Sequence, residues 1–358
     1  MLTKEWQTVA LGKVATLQRG YDLPHRERRP GSIPIVTSSG IADTHAESRV
    51  AGPGVVTGRY GTIGEVFFIE QDFWPLNTTL FVKDFHGNDP LFVSYLLRTI
   101  DFHSHSGKSG VPGVNRNDLH GLEVSRPLLP EQRAIAGALG DMDALLGALQ
   151  KLMAKKRDLK QAAMQQLLTG KQRLPGFSGE WEVKTIGDIF DVTAGGDVDP
   201  TRSNIEKDER HCFPIYSNAL TAFGLYGYCT YNDHQAGSIT VTARGTLGVA
   251  NYRNHDFTAI GRVLVLHPKS ELDGRFFTEV INNQIDFVVE STGVPQLTAP
   301  QISKHKVPVP STPEQTAIAA VISDMNAELA ALEARLAKTR ALKQGMMQEL
   351  LTGKTRLV

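Results

Sequence analysis

A chain of 358 residues with 38 Lys+Arg against 38 Asp+Glu, 41% hydrophobic and 7% aromatic, carries no net charge and enough apolar material for two cores. That composition excludes a disordered tail protein; no stretch approaches the roughly 20 uninterrupted apolar residues of a membrane-spanning helix, and the opening MLTKEWQTVALGK lacks an apolar signal core, so a cytoplasmic location is expected. Cys212 and Cys229 are the only cysteines, too few for a disulfide framework or a four-thiolate zinc site.

In chain order, short β-type runs bounded by Gly, Pro and Asn come first, at 55–56, 65–69 and 79–82, followed by a helical stretch at 90–100, PLFVSYLLRTI. Pro130 then suits a first helical position and Glu131 makes an acidic first turn. From Ile135 through Met142 and Leu149 to Leu167 apolar residues recur every three or four, which predicts a helix of nearly 40 residues, about 58 Å at 1.5 Å per residue, stopped by Gly170. Further β-type runs follow at 238–242 and 262–266, then a helix at 274–289. A second long helix carries Ile318, Met325 and Leu332 and ends at Gly353.

The chain repeats itself. Pro130-Glu131-Gln132 returns as Pro313-Glu314-Gln315, and 27 of the 45 positions from Pro130 match those from Pro313. Upstream the copies have diverged but keep their order: Glu5-Trp6 with Glu180-Trp181, Ile33-Pro34-Ile35 with Phe213-Pro214-Ile215, and Arg59-Tyr60-Gly61-Thr62-Ile63-Gly64 with Ala243-Arg244-Gly245-Thr246-Leu247-Gly248. The reading is a head, a helix, a second head and a second helix. The expected fold is α+β: two similar, mostly antiparallel-sheet domains separated by two long antiparallel coiled-coil helices in pseudo-twofold arrangement, because a helix with an apolar stripe must bury it. The divisions fall at 1–129, 130–173, 174–312 and 313–358.

Catalytic signatures are missing from the sequence. Position 348 is Gln where a phosphate-binding loop before Gly353-Lys354-Thr355 would need Gly, and no HExxH, GxSxG, CxxC or NPPY occurs. His103 and His105 without a placed third ligand read as loop residues rather than a metal pair. What the heads do contain is polar, glycine-rich loops of the kind that approach nucleic acid: Gly58 to Gly64 with Arg59 and Thr62, the Ser106 to Pro112 segment with Lys108 and Ser109, and Arg116 after it. Arg244, Thr246, Gln296 and Lys304 are the second-head candidates. The third kind of loop pairs Thr37-Ser38-Ser39-Gly40 with Tyr216-Ser217-Asn218-Ala219.

Charge is spread unevenly: 13 positive and 13 negative groups over 1–129, 8 and 4 over 130–174, 11 and 16 over 175–312, and 6 and 5 beyond. A protein holding DNA alone would carry more basic excess, since phosphate neutralisation supplies much of the affinity. Either a partner contributes cations or the basic residues are gathered on one face.

The proline-rich boundaries before Glu131-Gln132 and Glu314-Gln315, the LLTGK helix ends and the head–helix–head–helix duplication resemble the specificity subunit of Type I restriction–modification enzymes, over essentially the whole chain. The resemblance implies that each head is a target recognition domain reading one half of a bipartite double-stranded DNA sequence. It implies that the helices set the gap and dock two adenine methyltransferase subunits, through stripe positions such as Ile135, Met142, Leu149, Ile318, Met325 and Leu332, with restriction/translocase subunits added. Catalysis, S-adenosylmethionine, ATP and Mg would then reside in the partners, with no catalytic residue, cofactor or metal in this chain. The rival reading is a coiled-coil scaffold or adaptor without DNA specificity.

Overall fold

The computed structural model describes residues 6–106, 113–287 and 296–357. By packing, the chain divides into a first unit, Met1–Lys151 with Ala334–Val358, and a second, Leu152–Glu333. Each unit therefore holds one head and a part of both long helices, which differs from the four-segment division read along the sequence. The physical reason is that the apolar stripes of the helices bury themselves against the heads.

In the first unit β1 (Gln7–Ala10), β2 (Thr16–Arg19), β3 (Ile33–Thr37), β4 (Gly40–His45), β5 (Gly54–Gly58), β6 (Val66–Ile69), β7 (Trp74–Pro75) and β8 (Thr79–Asp84) precede α1 (Pro90–Leu97); α2 (Arg116–His120) and β9 (Glu123–Arg126) then lead into α3 (Leu129–Leu167). The main sheet has the order β2-β8-β5-β6, all antiparallel, and β5 is buried along its whole length, as a central strand of GVVTG must be. A smaller sheet β4-β3-β7 contains one parallel pairing, Ile35 with Trp74, while β1 and β9 form a separate ribbon. Helix α1 starts at Asp89, whose side chain accepts from the Phe92 amide, and Phe92 to Leu97 are all buried, so it is apolar on every side and sits inside the core.

The second unit repeats the plan. In chain order it has β10 (Glu182–Thr185), α4 (Ile186–Ile189), β11 (Phe190–Ala194), β12 (Ser203–Asn204), β13 (Phe213–Tyr216), β14 (Leu225–Cys229), β15 (Ile239–Val241), β16 (Ala250–Tyr252), β17 (Thr258–Ala259), β18 (Leu264–Pro268), α5 (Gly274–Gln284), α6 (Ala299–Ser303), β19 (Lys306–Val309) and α7 (Thr312–Leu350). Its main sheet β11-β18-β15-β16 matches the antiparallel sheet of the first unit strand for strand. The smaller sheet β12-β14-β13-β17 has the same parallel pairing at one end, Ile215 with Thr258, plus an added strand at the other edge, and β10 pairs β19 as β1 pairs β9. The helix expected over 274–289 closes at Gln284, directly after the weak helix formers Asn282 and Asn283.

Within each unit the two long helices run antiparallel. In the first, Ile135 and Leu139 of α3 share a core with Met346 and Leu350 of α7, and Asp143 pairs with Lys343. In the second, Lys156 meets Glu328 at 2.7 Å and Arg157 meets Glu333 at 2.7 Å, while Leu167 shares a core with Ile318 and Ile322. Low numbers on one helix thus face high numbers on the other.

Candidate nucleic-acid interface and the fastening of the long helices

The recurring Pro-Glu-Gln is a fastening device. Gln132 is 2% exposed; its Oε1 accepts from the Asp89 amide at 2.9 Å and its Nε2 donates to Asn88 Oδ1 at 2.8 Å and to the Pro127 carbonyl at 2.9 Å. Gln315 does the same in the second unit, accepting from the Asp273 amide at 2.9 Å and donating to the Pro310 carbonyl at 2.8 Å. Asp89 and Asp273 cap α1 and α5, so each glutamine ties the start of a long helix to the start of a head helix.

The glutamate beside it forms a clasp. Glu131 accepts from the Trp6 indole at 3.1 Å and takes a bidentate pair of bonds from Arg356 at 2.6 and 2.7 Å; the guanidinium lies 5.6 Å from the Trp6 ring centre. Glu314, Trp181 and Arg173 repeat this with bonds of 3.0, 2.6 and 2.6 Å. Arg356 bonded to Glu131, and after it burial opposing, leaves the Glu131 carboxyl below the usual glutamate range. The glycine of each LTGK closes the same knot. Gly170 and Gly353 have φ of 69° and 74°, and an added Cβ would lie 3.2 Å from the Trp181 ring and 3.1 Å from the Trp6 ring, respectively. In the sequence, tryptophan, Pro-Glu-Gln and LTGK all return in the same order, which is the one signal that they belong together; their joining is visible only in the fold.

On the heads, the glycine-arginine loops are built alike. In the first unit β5 ends at Gly58, where a Cβ would meet the Thr62 carbonyl at 1.7 Å, so only glycine allows the turn. Arg59 then folds its guanidinium over the Tyr60 ring at 4.5 Å, while Tyr60 is 42% exposed and its backbone bridges Gly113. Thr62 is exposed, and its hydroxyl lies 3.3 Å from Ser39 Oγ, which brings the β3–β4 turn beside the arginine loop. Val114 donates to the Arg59 carbonyl at 2.9 Å, and exposed Arg116 opens α2 just beyond. Arg59, Thr62 and Arg116 therefore lie along one connected stretch, whereas Lys108 and Ser109 lie outside the described residues.

In the second unit exposed Arg244 bridges Gln296, also exposed, as Tyr60 bridges Gly113 in the first. Thr246 is exposed, and its carbonyl accepts from Thr242 Oγ1 at 2.6 Å, tightening the loop. Asn218 spans the neighbouring turn: it accepts from the Ala243 amide at 2.7 Å and donates to the Gly261 carbonyl at 2.6 Å. Lys304 is exposed at the far end of α6 from Gln296, next to His305, whose carbonyl accepts from the Ile186 amide at 2.8 Å. It belongs to the ribbon side of the head rather than to the arginine loop.

The stripe positions on the helices fare differently. Ile135 and Ile318 are 0% exposed and Leu149 is 4% exposed, so these side chains face inward and have no surface for a partner; Met142, Met325 and Leu332 are half-buried. Periodicity selects the residues that a helix hides. The large apolar residues that α3 leaves exposed are instead Leu145, Leu152 and Leu159, seven apart, with Leu342 on α7. Among the described residues no group of His, Cys, Asp and Glu is gathered as a metal site, and no helix is long and apolar enough to cross a membrane.

Residues 3–157 and 178–339 both match the family model described as the Type I restriction modification DNA specificity domain. The chain belongs to that family. A Mycoplasma pneumoniae protein named as a type I specificity subunit is 27% identical over 214 residues, which covers 60% of this chain and 58% of the relative. A type I restriction enzyme specificity subunit of Methanocaldococcus jannaschii is 22% identical over 302 residues, 75% of this chain and 70% of the relative. The chain thus spans little more than half the length of the first of these. Among solved structures, the S subunit of the type I restriction-modification system from M. genitalium has a TM-score of 0.70 at 17% identity, covering 98% of this chain and 97% of that one, so the fold of this DNA specificity family member is that of S subunits.

Proposed function

We propose that this specificity-domain protein is the DNA-reading subunit of a type I restriction–modification assembly, non-catalytic in itself, each head reading one half of a bipartite double-stranded target. The observation that carries the reading is that two heads of one topology place an arginine on the same glycine-rich loop, Arg59 and Arg244, beside a polar turn, Ser39 and Asn218. Glycines let the backbone come close to a duplex, and an arginine there can serve phosphate or a guanine edge. The long helices would set the number of base pairs between the half-sites.

Two adenine methyltransferase subunits, and restriction/translocase subunits with them, would supply the chemistry, with S-adenosylmethionine, ATP and Mg bound there. Exposed Leu145, Leu152, Leu159 and Leu342 are the helix positions open to such partners. The formal neutrality of the chain supports an assembly in which partners add the cations that hold DNA. This role places the protein in the cytoplasm.

The test is to co-express the chain with a type I adenine methyltransferase subunit from the same organism and map methylated adenines in the host DNA. A bipartite motif that appears only with both proteins is expected. Methylation without sequence preference, or by the chain alone, would overturn the reading, and its absence in the mixture would favour the scaffold.

A further inference from the structure

The two heads differ most plainly at the tip of one hairpin. In the first unit β3 turns into β4 through Ser38 and Ser39 alone. In the second, β13 and β14 are joined by residues 217–224, and the stretch from 217 to 230 carries no charged side chain. The added loop displays Leu220 at 55% exposure and Phe223 at 73%, with Tyr226 at 56% just beyond. Exposing apolar side chains together in this way has a hydration cost that a purely structural loop would avoid.

The loop is also held against its own preference. Ala222 and Phe223 have φ of 48° and 53°, and Gly224 follows at 86°: three left-handed residues in succession, two of which bear a Cβ. Such conformations persist only where the surroundings over-determine them. Here the fastening is Arg253, 5% exposed, which donates to the Phe223 carbonyl at 2.7 Å and to Thr240 Oγ1 at 2.9 Å and lies 3.4 Å from the centre of the Tyr216 ring. The Ser217 amide donates to the Gly224 carbonyl at 2.8 Å and closes the base. The backbone is thus clamped from inside while the Phe223 ring is left outside.

What surrounds the tip indicates what it meets. Asn218, in the same loop, bonds to the backbone of Ala243 and of Gly261, and the residues that follow those two are Arg244 and Arg262, both exposed. An uncharged apolar tip on a loop whose base is bonded beside two exposed arginines suits a duplex, whose phosphates take the arginines while its base stack takes the ring. We propose that Phe223 is a wedge that enters the base stack of the second half-site, so that the second head reads part of its target through the ease of unstacking one step, a device that the two-serine turn between β3 and β4 of the first head does not carry. The proposal rests on the reading of this unit as a DNA reader.

The experiment uses the assembled complex with its methyltransferase subunit and a duplex carrying the motif mapped by methylation, with 2-aminopurine placed at successive positions of the second half-site. Fluorescence should rise at one step on binding. Phe223→Ala should abolish that rise and weaken binding about tenfold, as loss of one aromatic–base stack does, while Phe223→Trp retains both. An exposed side chain is removed, so the thermal midpoint of Phe223→Ala should not fall; a fall together with lost binding to every duplex would assign the loop a structural role and overturn the wedge. Unchanged affinity and fluorescence in Phe223→Ala, with the wild type still selecting its motif, would overturn the wedge and leave the DNA-reading function standing. Loss of methyltransferase co-elution in Phe223→Ala would make the tip a protein contact instead. Failure of the wild-type complex to select any sequence would remove both.

Discussion

Glu131 holds Arg356 across 225 residues of sequence, accepting from two guanidinium nitrogens at 2.6 and 2.7 Å on a carboxylate that the Trp6 indole also bonds. The segment that follows α7 is thereby locked to the first turn of α3 within one unit. Glu131→Gln should lower the thermal midpoint, because it weakens two charge-assisted bonds to the guanidinium into neutral ones, and combining it with Arg356→Ala should cost less than the sum of the two single changes. The carboxyl is held below its ordinary value of 4.5, so the folded form binds fewer protons than the unfolded one at that pH. The clasp therefore contributes fully above about pH 4.5 and is lost as pH falls through the lowered value. Thermal melts across that range should show a shallower acid loss in Glu131→Gln than in the wild type.

Gln315, 1% exposed, satisfies a half-buried amide at Asp273 and a buried carbonyl at Pro310. Gln315→Ala leaves both without a partner and should destabilise the second unit by about 1–3 kcal/mol. Gln315→Glu keeps the acceptor for Asp273 but turns a carboxylate against the Pro310 carbonyl, and should be worse than Ala at neutral pH. Urea unfolding of the three proteins gives the ranking.

Two glycines of the long-helix repeats should respond in opposite directions to alanine. At Gly353, φ is 74° and the new Cβ meets the Trp6 ring at 3.1 Å, so Gly353→Ala should cost at least about 1–2 kcal/mol and loosen the Glu131 clasp. At exposed Gly137, inside α3, nothing lies within 4 Å, and alanine should add about 0.5–1 kcal/mol of stability. Thermal melts measured side by side decide it.

In the second unit His234 Nδ1 and His267 Nε2 are 3.1 Å apart with their rings stacked, and Ser238 Oγ lies 3.0 Å from His267 Nδ1. Burial pushes both imidazoles below the ordinary 6.5; His267 adds to the effect at His234, while Asp233 opposes it there and Asp191 opposes it at His267. An unfolded histidine takes up its proton near pH 6.5, whereas the folded pair resists, so the unfolded state binds more protons and stability rises with pH through this interval. The second unit should lose stability as pH falls below about 6.5, and His234→Gln should flatten that loss. Melts of the two proteins at about pH 5 and about pH 7 provide the check.

Much of this architecture is written locally. The 3.6-residue recurrence, Pro130 and Gly170 are enough to delimit α3, and the return of Pro-Glu-Gln and LTGK is enough to double it. What is not local was not legible: that Arg356 answers Glu131, that Trp74 pairs in parallel with Ile35, or that Phe223 is clamped outward by Arg253. The helix stripe shows the same limit in another form. Its period identifies residues that need burial, and Ile135 is buried by its own unit, so the period alone could not point to a partner surface. The arginine loops are legible because glycine spacing constrains the backbone directly. Their joining to Ser39 and Asn218 depends on side chains that only the folded head brings together.

Arg59 and Arg244 offer the sharpest separation between a loop that contacts DNA and one that merely turns. Arg59 has the Tyr60 ring beneath its guanidinium, whereas Arg244 is exposed on a loop bridged to Gln296. If either contacts phosphate, its change to alanine should weaken binding of the assembled complex to target and non-target duplexes alike and reduce the slope of log affinity against log salt by about one. If it reads a guanine edge, the loss of about 1–3 kcal/mol should fall on the target duplex alone and should relax the motif at one position, visible when methylated adenines are mapped again. Because the loops occupy equivalent places in two heads, Arg59→Ala should relax only the half of the motif read by the first head and Arg244→Ala only the other half. A variant of Arg59 that altered both halves, or left affinity and salt slope untouched, would return that loop to a purely structural role.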